Sequence, residues 1–220
     1  MAKKNYDAER KKAATALRQL GSILTKKQVC ADIGPLNSAA EQCSKPAHYG
    51  ANSWGYDISN LRFELSDPRK SLPAKTRNLR IELSISLNGS FDADVDDQFK
   101  DLEINIEKYV IDRDGVELKA SWHFDRHIVD LTKDVPDETV DVHPLYHFQY
   151  GGAKMHPIGD RLGKTFLIDP PRLMHPPMDG ILAVDFVLAN YAGAVWKKLR
   201  DDSQYMNLVN EKLNQYWKPY

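Results

Sequence analysis

The stretch Leu79-Arg80-Ile81-Glu82-Leu83-Ser84-Ile85-Ser86-Leu87 decides the fold, because leucine and isoleucine alternate with charged or hydroxyl residues throughout it. A period of two puts every aliphatic side chain on one face of a strand and every polar one on the other. The alternation recurs upstream in Leu61, Phe63 and Leu65. Downstream it recurs in Leu102, Ile104 and Ile106, and again in Val116, Leu118, Ala120, Trp122 and Phe124. Asp114-Gly115, between the last two, is a hairpin-turn pair. Consecutive strands joined in this way form an antiparallel meander whose apolar face needs a cover.

Helices on either side supply that cover. Ala13, Leu17, Leu20 and Leu24 recur at helical spacing, predicting an amphipathic helix over about residues 5–24. Residues 25–56 carry only short helical or loop signals around Pro35 and Pro46. Val142 to Tyr150 reads as a further, aromatic strand ended by Gly151-Gly152, and Lys164 to Ile168 as a short one. Ile181, Val184, Leu188 and Tyr191 mark an apolar helix over about residues 178–198. Asp202 or Ser203 is placed to cap a last helix, in which Tyr205, Leu208, Val209, Lys212, Leu213 and Tyr216 keep the spacing. The expected architecture is one α+β domain over residues 1–220. Its parts are a helical and irregular N-terminal section (1–57), an antiparallel sheet of about four to six strands (58–168) and two C-terminal helices (169–220).

Composition excludes several classes. With 42% hydrophobic and 28% charged residues in a chain of 220, the balance is that of a globular domain rather than a disordered or fibrous chain. No stretch reaches the roughly 18 apolar residues of a membrane span, and the charged start, Met1 to Lys12, lacks the apolar run of a secretory signal. A cytoplasmic location with no membrane contact is the expectation. Cys30 and Cys43 are too few for a disulfide framework or a four-cysteine zinc site. Charge is polarised: residues 1–27 hold eight lysines and arginines against Asp7 and Glu9, a net of +6, whereas residues 92–107 hold seven acids against Lys100, a net of −6. Such poles pair with each other or steer a partner. The partner expected is a protein, with the basic N-terminal helix as the segment that would meet nucleic acid.

Six of the seven histidines, His123, His127, His143, His147, His156 and His175, fall in one quarter of the chain, the residue type and density from which metal sites are built. His143 and His147 cannot share an ion along one extended strand, being about 13 Å apart. A cross-strand pair of His123 and His147 can, since both alternate with the aromatic residues of their strands, and Asp125 or His175 would join from a loop. The cofactor implied is a divalent metal. The alternative is a hydrogen-bonded histidine cluster beside the core.

Three other patterns carry carboxylates. Glu117 and Lys119 share a strand face, with Asp101 or Glu103 on the preceding strand. This layout resembles the core of the PD-(D/E)xK nucleases, which implies Asp101 and Glu117 as metal carboxylates and Lys119 as the residue orienting the attacking water. Asp92, Asp94, Asp96 and Glu103 have the spacing of an EF-hand calcium loop, but Asp97 stands where that loop needs glycine. Asp185 lies inside an apolar helical run, where a tie to Arg172 or His175 would satisfy it.

The order of helix, meander, His143-Pro144, proline-rich loop and C-terminal helices resembles the ubiquitin-conjugating (UBC-like) fold. Leu145 replaces the asparagine of that family's His-Pro-Asn signature, and no cysteine follows Cys43, so the resemblance implies a non-catalytic binding module. The functional expectation is therefore a protein-interaction or accessory module. The alternative is a metal-dependent hydrolase or nuclease that uses either the His123, Asp125, His147 and His175 group or the Asp101, Glu117 and Lys119 face.

Overall fold

The computed structural model describes residues 6–45, 49–65, 76–91, 98–126, 146–151, 153–156, 164–165, 171 and 176–216. Five strands, β1 (Ser53–Leu65), β2 (Arg77–Ser90), β3 (Phe99–Ile111), β4 (Glu117–Arg126) and β5 (Tyr146–Tyr150), pair antiparallel in chain order. Among the described residues the helices are α1 (Tyr6–Lys26), α2 (Gly34–Ser44), α3 (Gly180–Tyr191), α4 (Gly193–Arg200) and α5 (Ser203–Tyr216). The chain is α+β, with the meander that the alternation predicts. Asp114-Gly115 turns as expected: Gly115 takes φ +78°, and Asp112 Oδ1 accepts from the backbone N–H groups of Asp114 and Val116.

Register keeps the two faces separate. Leu61, Leu83, Ile106, Trp122 and Tyr150 are successive cross-strand partners and form one rung of the apolar face. Ser86, Glu103, Asp125 and His147 form a rung of the polar face, and Ser84, Asn105, His123 and Gln149 the next. Helix α3 covers the apolar face. Gly180 lies where an added methyl group would strike Ile58 of β1 at 2.9 Å, and Phe186 meets Phe148 of β5 edge-on at 5.6 Å. Ile181 to Leu188 are buried on every side, as a helix sandwiched between layers requires.

The elements differ from the expectation in several places. The sheet begins at Ser53, because β1 continues upstream through Trp54, Tyr56 and Ile58. Its register shifts between Ile58 and Leu61, where Asn60 takes φ +53°, so the alternation is interrupted in the sequence. The single helix expected over 178–198 is two, since Ala192 leaves helical geometry (φ −128°, ψ 44°) before Gly193. Of the short helical or loop signals in residues 25–56, the one around Pro35 is the eleven-residue helix α2. Of the short strand expected at 164–168, residues 166–168 lie outside the described residues, and Thr165 makes a parallel bridge with Lys119.

Candidate metal centre

The polar face of β4 and β5 gathers the histidine site. His123 and Asp125 are two residues apart on β4 and so point the same way, and His147 is the direct partner of Asp125 on β5. Asp125 thus reaches the group from the strand itself rather than from a loop. Its carboxylate lies between the imidazoles: Oδ1 is 2.9 Å from His147 Nδ1, and Oδ2 is 3.8 Å from His123 Nε2. The rings stand edge-on, 5.5 Å apart. One ligand atom from each of the three residues falls within 4.8 Å of the other two, and among the described residues no other group of histidines, cysteines and carboxylates does this. Side-chain exposure of 16% for His123, 29% for Asp125 and 22% for His147 leaves the group sheltered yet open on one side.

The donor set, two imidazoles and a carboxylate, is of the kind that holds an ion. Ligand atoms about 2.1 Å from a metal lie about 3.0–3.4 Å apart at octahedral to tetrahedral angles. The 2.9 Å contact of Oδ1 already meets that spacing, the 3.8 Å contact is made by the other oxygen, and three ligand atoms within 4.8 Å of one another would close by up to about 1.4 Å around an ion. Asp125 Oδ1 is buried, and its 2.9 Å contact with His147 Nδ1 is not aligned as a hydrogen bond. His175, His127 and His143 lie outside the described residues, as do Pro144 and Leu145. His156 follows the short 3₁₀ turn Ala153–Met155 and is exposed.

The other expected trio is not brought together. Glu117 pairs with Ile111, whereas Asp101 lies ten residues away along β3, about 33 Å at strand rise. Lys119 is buried and held 2.6 Å from Glu107, whose other contact is the Tyr109 hydroxyl at 2.8 Å. Glu117 takes Arg80 at 3.1 Å. Strand alternation placed Glu117 and Lys119 on one face as expected, but the antiparallel direction set Asp101 at the far end.

Asp185 is 4% exposed and accepts from Trp196 Nε1 at 2.8 Å and the Tyr205 hydroxyl at 2.9 Å, tying α3 to α4 and α5. Arg172 is outside the described residues, and so are Asp92, Asp94, Asp96 and Asp97 of the calcium-loop pattern. Cys43 is buried on α2, and its burial pushes the thiol up to about 11. Among the described residues, Arg10, Lys12 and Lys27 of the basic N-terminal segment are paired within the chain. Buried Arg10 donates to the Gly50, Ala51 and Ser53 carbonyls and pairs with Asp7, Lys12 pairs with Glu211, and Lys27 pairs with Asp202. No helix among the described residues is long and apolar enough to cross a membrane.

Comparison of the chain with protein-family models, curated proteins and solved structures finds no match.

Proposed function

We propose that the chain binds one divalent transition metal through His123, Asp125 and His147 and acts as a metal-dependent hydrolase. The observation that supports this is the convergence of two imidazoles and one carboxylate from adjacent strands on a half-open part of the polar face. Three protein ligands leave positions for water and substrate, the arrangement of catalytic rather than structural sites. Imidazole and carboxylate together suit zinc, iron or manganese better than calcium or magnesium. The metal would lower the pKa of a bound water and polarise the bond to be cleaved. His123, Asp125 and His147 would hold and orient it.

The test is elemental analysis of protein purified without chelator. One zinc, manganese or iron per chain is expected in the wild type, with loss in the His123→Ala/His147→Ala double variant. Hydrolysis of 4-nitrophenyl acetate or bis(4-nitrophenyl) phosphate should then fall on chelation and return with the metal. Folded wild-type protein that takes up no transition metal would overturn the reading.

A second reading, the protein-interaction or accessory module, is supported by a groove of about 520 Å³ between α1, α5 and the end of the sheet. Tyr6, Trp54, Phe91 and Tyr216 line it beside Lys12 and Glu211. Aromatic walls with charged rims are the composition of binding surfaces.

A further inference from the structure

The rung that carries the metal group continues onto β3. Glu103 is the cross-strand partner of Asp125, as Asp125 is of His147, so three side chains stand abreast on the same face. Directly opposed Cβ atoms are about 4.5–5.5 Å apart, and two carboxylates at that spacing repel each other unless a cation lies near. Among the described residues no lysine or arginine forms an ion pair with Glu103 or Asp125, and Asp125 meets His123 and His147.

Glu103 is nevertheless oriented. The Asn105 side-chain amide donates to its Oε1 at 2.7 Å, and Asn105, 6% exposed, is the direct partner of His123. This bond draws the Glu103 carboxylate along β3 towards the rung of His123. It therefore borders the group on the side away from β5. Glu103 itself is exposed and is not one of the residues whose ligand atoms lie within 4.8 Å of each other. A carboxylate on the neighbouring strand, outside the three that converge, would reach an ion there through a water rather than by direct ligation.

Building on the metal reading, we infer that Glu103 is a further residue of this site: a positioning carboxylate, aimed by Asn105, that accepts a hydrogen bond from a water occupying the open side of the metal. Outer carboxylates of this kind raise metal affinity by fixing the water and the ligand geometry, and their loss costs about 10- to 100-fold.

The experiment is titration of chelator-stripped protein with zinc by calorimetry and with cobalt(II) by visible spectroscopy, on the wild type and on His123→Ala, Glu103→Gln, Asn105→Ala and Glu64→Gln, each checked for folding by circular dichroism. Glu64 shares the polar face but lies on β1, and its variant should match the wild type. Glu103→Gln should weaken zinc by about 10- to 100-fold and alter the cobalt spectrum, with Asn105→Ala changing both in the same direction. A merely structural role for Glu103 would leave the spectrum unmoved. If His123→Ala abolishes binding while Glu103→Gln keeps wild-type affinity and spectrum, the role of Glu103 is overturned and the metal site stands. If the wild type binds neither metal, both fall.

Discussion

A lysine in the apolar layer is the most unusual single residue of the molecule. Lys108 is the β3 partner of Ile81 and Ala120 and is fully buried. Its amine reaches the Tyr191 hydroxyl at 3.3 Å and lies over the rings of Tyr191 and Trp122, 4.7 and 5.5 Å from their centres. No carboxylate balances it among these contacts, and burial lowers its pKa to about 7. The unfolded chain keeps this amine protonated up to about pH 10.4. Between these values the unfolded state holds the extra proton, so stability should rise with pH from about 7 to 10, with the full penalty present below 7. Lys108→Met should therefore stabilise the protein at pH 7 by about 2–4 kcal/mol, and the gain should shrink towards pH 10. Urea denaturation at pH 6, 8 and 10 measures both; a variant less stable than wild type at pH 7 would refute the account.

Among the elements, α3 depends most on its first turn. Asp179 is 2% exposed and extended, and its Oδ1 accepts from the N–H groups of Ile181 and Leu182 at 3.0 and 2.9 Å. The Tyr56 hydroxyl of β1 accepts from the N–H of Gly180 at 2.9 Å, so the helix start is fixed to the sheet as well as capped. Asp179→Ala should lower stability by about 1–2 kcal/mol, at the upper end for caps because the freed N–H groups are buried. Thermal unfolding checks this; an unchanged midpoint would mean that another group takes over the cap. Helix α2 was readable in principle. Leu36, Ala39, Ala40 and Cys43 form a stripe at helical spacing and are all buried, with Pro35 in the first turn. Its short length and its Asn37, Ser38 and Ser44 hide that stripe.

At the scale of the molecule, distant segments share one core. Leu17 of α1 packs near Gly180 of α3, Lys12 reaches Glu211 of α5 at 2.9 Å, and the Tyr216 ring lies tilted against Phe99 of β3, 5.1 Å between centres. Since the first and last helices depend on the same sheet, we expect one cooperative transition. Calorimetry should give equal calorimetric and van't Hoff enthalpies, and two resolved transitions would instead divide the chain into separate folding units.

The sequence by itself determined the class of fold, because period-two alternation leaves an aliphatic segment such as Leu79–Leu87 no better way to bury one face. The same alternation put His123 and His147 on the polar face, since each lies between aromatic residues that the core requires. It could not set the register between strands. Only pairing in three dimensions decided that Asp125 stands opposite His147, that Glu103 stands opposite Asp125, and that Asp101 lies far from Glu117. Register arises from turn lengths, bulges and the packing of the whole apolar face together. The tertiary structure likewise buried Lys108 beneath Tyr191, because a charged residue within an aliphatic strand gives no local sign of which helix will cover it.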